Sequence, residues 1–173
     1  HIFSNALKYR ASGYLFESLQ QMKIVDSISA LKSLGKGWAL SIGNFDGFHR
    51  GHQKIIAAGR KAADDYDAAG LAVMTFDPHP TALLHPQKAP GILTPMPLRS
   101  RLIEAAGADT LIILRDSVRL LNLAPDDFVD EFLMNTTSPS VIVEGPNFNF
   151  GYGRSGDNDT LRKLGRDRGF DVI

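Results

Sequence analysis

Cysteine is absent from the 173 residues, which excludes both a disulfide framework and thiolate chemistry and is compatible with a cytoplasmic setting. Net charge is absent too, because 19 Lys and Arg balance 19 Asp and Glu. A dedicated nucleic-acid binder usually carries a basic excess, so no nucleic-acid partner is expected. No apolar run approaches the roughly 20 residues that a transmembrane helix needs, so no membrane partner is expected either. Residues 1–21 lack the order of a signal peptide, a basic segment followed by a long apolar stretch. Leu7, Tyr14, Leu15 and Leu19 fall on a weakly amphipathic stripe there. That segment reads as an N-terminal extension or expression remnant, with Met22 as a natural beginning. Residues 22–173 then have the length of one ordinary domain able to bury a real core. Internal repeats and low-complexity tracts are also lacking.

What is present centres on WALSIGNFDGFHRGH, residues 38–52. Trp38 to Ile42 is a short apolar run ending at Gly43, which reads as a buried strand entering a tight turn. Asn44, Asp46, Gly47 and Gly51 exclude a helix until the pattern changes. Ile55, Ile56, Gly59, Ala62 and Ala63 then share one helical stripe, so a helix begins near His52. His52 continues the stripe and should hang over the strand end, with His49 on the approach. A helix N-terminus offers unpaired N–H groups to phosphate, and two imidazoles add donors that stabilise charge developing during reaction. The glycine spacing matches neither the G-x-G-x-x-G dinucleotide fingerprint nor a Walker loop. The alternative for the two histidines is a plain helix-capping role.

Further along, Leu71 to Phe76 reads as a second strand running into Asp77-Pro78-His79-Pro80, where residues before proline disfavour helix. Thr81 to Gly91 reads as a long proline-rich loop of the kind that often binds ligand, with His85 a solvated surface histidine. Pro97 to Ala106 is a predicted helix with Leu98, Leu102, Ile103 and Ala106 on its apolar face. Thr110 to Leu114 is a third strand. Pro125, Asp126 and Asp127 start another helix, as the macrodipole prefers. Ser140 to Val143 is a fourth strand, leading into a second glycine-rich turn over 147–156 and a helix capped by Asp157 or Asn158. Phe170 to Ile173 begins a fifth. The alternation predicts an α/β chain, a Rossmann-like parallel sheet of about five strands with helices on both faces. Three strand-end loops, Gly43–His52, Asp77–His85 and Gly145–Gly156, should converge on one crevice.

GNFDGFHRGH, MTFDPHP and VEGPNFNFGYGRSGD, in that order and spacing, resemble the flavin adenylyltransferase module of prokaryotic FAD synthetases. The H-x-G-H element alone is shared more widely among nucleotidyltransferases and class I synthetases. The resemblance covers Met22 to Ile173. It implies transfer of AMP from ATP to FMN, giving FAD and pyrophosphate, with magnesium accompanying ATP and a C-terminal riboflavin kinase domain as partner. By position, it implies that His49 and His52 contact the ATP phosphates and stabilise the transition state. Gly43, Asn44, Gly51 and Asn147 would belong to the ATP site, with Arg154 a phosphate candidate. Phe45, Asp77, Pro78, His79, Pro80 and Phe148 are candidates for the flavin side. Asp46 is either an Asx-type turn residue or a magnesium contact.

The family's S-S-T-x-[IV]-R signature does not occur before Ile173, and Arg154-Ser155-Gly156 lies too early to be it. The expectation is therefore a truncated chain that folds, binds adenine nucleotide weakly and transfers little. Rival readings are another nucleotidyltransferase of the H-x-G-H type, a non-catalytic nucleotide- or flavin-binding module, and a metal-dependent hydrolase using His49, His52, Asp46 and His79. The hydrolase ligand set is scattered along the chain.

Overall fold

A computed structural model describes residues 21–115 and 117–173, so positions 1–20 of the expected extension lie outside it. Strand β1 (Lys23–Val25) and helix α1 (Ile28–Lys32) precede β2 (Ala39–Ile42). Helix α2 (Arg50–Asp65) returns the chain to β3 (Leu71–Phe76). Helix α3 (Pro80–Leu84), a 3-10 turn (Pro86–Lys88) and α4 (Met96–Ala105) lead to β4 (Thr110–Leu114). Helix α5 (Val118–Leu121) follows. A longer helical stretch comes next, made of α6 (Pro125–Asp127), a π-wound turn (Phe128–Leu133) and α7 (Met134–Thr136). After β5 (Val141–Ile142) come a small hairpin, β6 (Asn149–Phe150) and β7 (Gly156–Asp157), then α8 (Asn158–Arg168) and β8 (Asp171–Val172).

The sheet has six strands in the order β1-β4-β3-β2-β5-β8, and every neighbouring pair is parallel. The Rossmann-like α/β expectation holds, with one strand more than the five read from the sequence. The added strand is β1, three residues of which only Val25 is buried, too short to leave an alternation. Counting from β2, the run β4-β3-β2-β5-β8 is the 3-2-1-4-5 order of doubly wound folds. The strand order reverses between β2 and β5, and ligands of such sheets bind beyond the C-terminal ends there.

Both faces of the sheet are covered, so its strands are apolar throughout rather than alternating. Leu40 and Ile42, Ala72 and Met74, Ile112 and Leu114, and Ile142 point to one face, against Phe128, Val129, Phe132, Leu133, Leu161 and Leu164. Ala39, Leu71 and Val73, Leu111 and Ile113, and Val141 and Val143 point to the other, against Ile56, Ala62, Ala63 and Ile103. The period of two along each strand accounts for the division. Each large apolar side chain so buried contributes about 1.5–3 kcal/mol before conformational entropy is charged against it.

Several local expectations change. The Thr81–Gly91 loop contains α3 and the 3-10 turn, because His79 Nδ1 accepts the Thr81 N–H at 3.0 Å and Pro80 supplies a helical φ at the first position. On α4 the expected apolar face is rotated, leaving Leu98 46% exposed while Arg99 is 6% exposed. Helix α5 went unread in the sequence. Of the two cap candidates for α8, Asp157 serves, accepting the Thr160 N–H at 2.9 Å.

Helix α8 meets β8 so closely that a Cβ on Gly165 would lie 2.5 Å from the Phe170 carbonyl oxygen. Backbone cannot swing aside as a side chain can. Replacing glycine by alanine inside a helix ordinarily gains about 1 kcal/mol. Gly165→Ala is expected instead to lose about 1–3 kcal/mol in urea unfolding, as overpacking does. A stabilised variant would contradict this packing.

Candidate functional site

Strand β2 ends between β3 and β5, and the turn after it carries the two histidines to the start of α2. His49 is the N-cap: its Nδ1 accepts the N–H groups of Gly51 at 3.1 Å and His52 at 3.3 Å. An acceptor nitrogen carries no proton, so the neutral ring bears its proton on Nε2, the nitrogen turned away from the helix. Gly51 is what lets the ring fold back, since a Cβ there would stand 3.0 Å from His49 Cε1. The His52 ring stacks on His49 with centroids 3.7 Å apart and planes 17° apart. The H-x-G-H spacing therefore builds a pair of stacked imidazoles over a helix N-terminus.

His52 is half-buried, and its Nδ1 is buried with no hydrogen-bond partner. Burial, then the neighbouring His49 and Arg99, lower its pKa to about 4, against an opposing pull from Asp46. His79 is also lowered, first by burial, and it feels Asp46 and Arg99 as well. Two histidines from different strand ends thus both feel the Asp46–Arg99 pair.

Asp46 is a turn residue in the fullest sense. Its carboxylate accepts N–H groups from Gly47 (3.0 Å), Leu93 (3.0 Å) and Thr94 (2.7 Å) and the Thr94 hydroxyl (2.8 Å). Arg99 stands 3.2 Å from it. Burial opposes its ionisation, but these donors and the guanidinium outweigh burial and hold its pKa well below the ordinary carboxylate range. A carboxylate so fully engaged has little left to offer a metal. Among the described residues, no three His, Asp or Glu side chains gather as a metal-binding group, which removes support from the hydrolase reading.

The flavin-side candidates divide. Phe45 is 1% exposed, so it is a core residue and not an open platform; its ring lies 5.2 Å from that of His52. Phe148 is half-buried and stacked on Phe150 at 5.7 Å. Asp77 holds Arg115 at 3.1 Å, and Pro78, His79 and Pro80 line the start of α3 with partial or full exposure. His85 is exposed, as expected. On the other side of β2, Asn147 and Arg154 are exposed in the loop after β5. That loop is anchored where the Asn158 side chain donates to the Gly145 carbonyl at 2.9 Å. Gly145 also sits against Ile55 of α2. Asn147 and His52 therefore leave the same end of adjacent strands.

Sequence reading missed what parts those strands. A regular parallel ladder would continue with Ile42 N–H bonding the Val143 carbonyl. Instead the Ser41 hydroxyl donates to Val143 O at 2.9 Å, and Ile42 N–H donates to the Glu144 carboxyl at 2.6 Å. Two side chains replace one rung, and the switch point opens. Burial raises the Glu144 pKa well above its ordinary 4.5, more than the Ile42 amide lowers it. A cavity of about 580 Å³ lies at the opposite end of the sheet, by Gly37, Ser140 and Asp171 at the strand starts. It contains none of the motif residues.

Two pH responses follow. His52 stays neutral in the fold down to about pH 4 but titrates near 6.5 when unfolded, so its contribution is complete above 6.5 and is lost between 6.5 and 4. Against a non-titrating His52→Gln variant, urea unfolding should show wild type losing relative stability across that interval and none from pH 7 to 8. Glu144 works in the other direction: its raised pKa gives stability that is present below 4.5 and lost as pH climbs through the folded value. Glu144→Gln, which keeps an acceptor for Ile42, should therefore gain on wild type between pH 4.5 and 8. A gain independent of pH would contradict the buried acid.

Residues 32–173 match the family described as FAD synthetase. The bifunctional riboflavin kinase/FMN adenylyltransferase of Escherichia coli strain K12 is 32% identical over 152 residues, covering 87% of this chain and 48% of that protein. Its Pseudomonas fluorescens counterpart is 33% identical over 151 residues, with 87% and 48% covered. The chain thus spans about half the length of these relatives. A solved Streptococcus pneumoniae structure described as a macrolide-efflux protein superposes with a TM-score of 0.74 at 22% identity, covering 88% of this chain and 50% of that one, a likeness of fold alone. With the family matched from β2 to β8, across the stacked histidines and both glycine-rich turns, the chain belongs to the FAD synthetase family.

Proposed function

We propose that this chain transfers AMP from ATP to FMN, releasing pyrophosphate and forming FAD. The observation that carries the reading is the stacked His49–His52 pair at the N-terminus of α2, beside the opened switch point. Phosphate is the chemistry such a helix end accepts. The FMN phosphate is already an anion, so it attacks the α-phosphorus without a general base. The bond from that phosphorus to the α,β-bridging oxygen breaks, and its electrons leave with pyrophosphate. Positioning and charge stabilisation are then the whole of the protein's task. His49 Nε2–H is oriented outward by the cap, and both imidazoles are neutral donors that gain strength as charge builds.

In this reading magnesium arrives on the triphosphate as part of the substrate, which suits its preference for phosphate oxygens and retained waters. Gly43, Asn44, Gly51 and Asn147 frame the nucleotide, and exposed Arg154 meets phosphate. The flavin lies toward the β3 loop, at Pro78, His79 and Pro80, which are partly or fully exposed. A riboflavin kinase domain, as in the bifunctional relatives, is the expected partner, supplying FMN in a cytoplasmic setting. No described helix is long and apolar enough to cross a membrane.

The test is His52→Ala in the full native chain, incubated with FMN, ATP and magnesium. FAD formation should fall about 100- to 1,000-fold, the loss of about 2.7–4 kcal/mol typical of one transition-state donor, while FMN affinity stays close to wild type. Undiminished turnover would reduce His52 to a helix-end residue.

A further inference from the structure

We propose that Arg99, on α4, is a positioning residue of the transfer site: it clamps the turn between β2 and α2 and through it sets the His52 ring. The proposal rests on the transferase reading for its kinetic consequence, but not for its geometry.

Arg99 is an arginine 6% exposed, a costly place for a cation. Its guanidinium donates to the Asn44 carbonyl at 2.9 Å and to the Thr94 carbonyl at 3.1 Å, and it lies 3.2 Å from Asp46 Oδ1. Its Nε is buried without a partner. Well-packed apolar side chains would often stabilise such a position as well or better, so stability alone is a poor reason for this arrangement. What the cation reaches is the turn itself. The Asn44 carbonyl also accepts the Thr75 hydroxyl from β3 at 2.9 Å. The Gly47 amide donates to Thr94 Oγ1 at 2.9 Å. Arg99, Asp46 and Thr94 therefore tie three segments together: the turn, the end of β3 and the strap at 93–94.

That turn needs restraint. Phe45 and Phe48 take φ values of +49° and +35°, a left-handed conformation that costs a non-glycine residue about 1–3 kcal/mol and persists only where its surroundings over-determine it. Both rings are buried, and the Phe45 ring is the one packed beside His52. The route of action is continuous: Arg99 holds Asn44 and Asp46, these hold Phe45 in its strained backbone, and Phe45 supports the imidazole. Arg99 also places a fixed positive charge near His52, which favours its neutral, donating form.

The experiment is a double-mutant cycle in the full native chain with Arg99→Met and His52→Ala, read by FAD formation and by NMR titration of the His52 ring. Arg99→Met should lower kcat about 10- to 100-fold, the scale of a small misplacement of reacting groups, while KM for ATP changes less than about threefold. The double variant should be no more than about threefold slower than His52→Ala alone, because the two act as a unit. In folded Arg99→Met the His52 titration should move up from about 4 toward 6.5. Arg99→Lys should recover part of both effects. Additive losses, or an unmoved His52 titration, would overturn the proposal. Should Arg99→Met fail to fold, Thr94→Val removes one hydroxyl from the same clamp and should give smaller shifts in the same direction; wild-type kcat and wild-type His52 signals there would overturn it equally. If wild type makes no FAD, the transferase reading fails, and the His52 titration still decides the clamp.

Discussion

The separation of β2 from β5 at their C-terminal ends is the constraint on which the site depends. A parallel ladder continued by one more rung would close the sheet where the strand order reverses. Ser41 and Glu144 take up the Val143 carbonyl and the Ile42 amide instead, so these two backbone groups stay paired while the strands part. The loops that follow then have room to diverge, one into α2 and one into the β6–β7 hairpin. Between them lies the only kind of place where a doubly wound sheet offers its strand ends to a ligand.

The second constraint is the helix start. An α-helix leaves its first amides without partners, and α2 satisfies two of them with one imidazole nitrogen. That bond does more than cap. It decides which nitrogen of His49 bears the proton, turns that nitrogen away from the helix, and provides the surface on which His52 stacks. Glycine at position 51 belongs to the same device, since any side chain there would displace the ring. Capping and chemistry are one arrangement, and the choice between them posed by the sequence dissolves.

Charge around the turn is organised by burial rather than by number. The chain is neutral overall, yet a buried arginine and a fully hydrogen-bonded aspartate act on His52, whose ionisation burial suppresses. Glu144, which forms no ion pair among the described residues, is pushed toward its protonated form by the same scarcity of water. Identical residue types on an open surface would show none of this, because water would screen them.

The strands and helices of the doubly wound sheet were legible in the sequence because their signals are local: apolar runs bounded by glycine and proline, a small-residue stripe at helical spacing, and acids or proline at helix starts. The H-x-G-H element was legible for the same reason, since a cap, a glycine and a helix start are fixed within four residues. Features set by distant contacts were not. The strand β1 is too short to show a period, and it exists only because β4 presents an edge to it. Phe45 was a candidate for the flavin side, but its direction depends on a backbone angle held by groups 31 and 55 residues from Asn44, as the Asn44 contacts to Thr75 and Arg99 show. Arg99 carries no sequence signal of its burial, since charge normally faces water. Local periodicity thus determined the fold class and the identity of the two histidines. Only tertiary structure decided which polar groups lose their water, and that loss sets the protonation of His52, the occupation of Asp46 and the opening of the sheet, because desolvation depends on what the rest of the chain packs around each group.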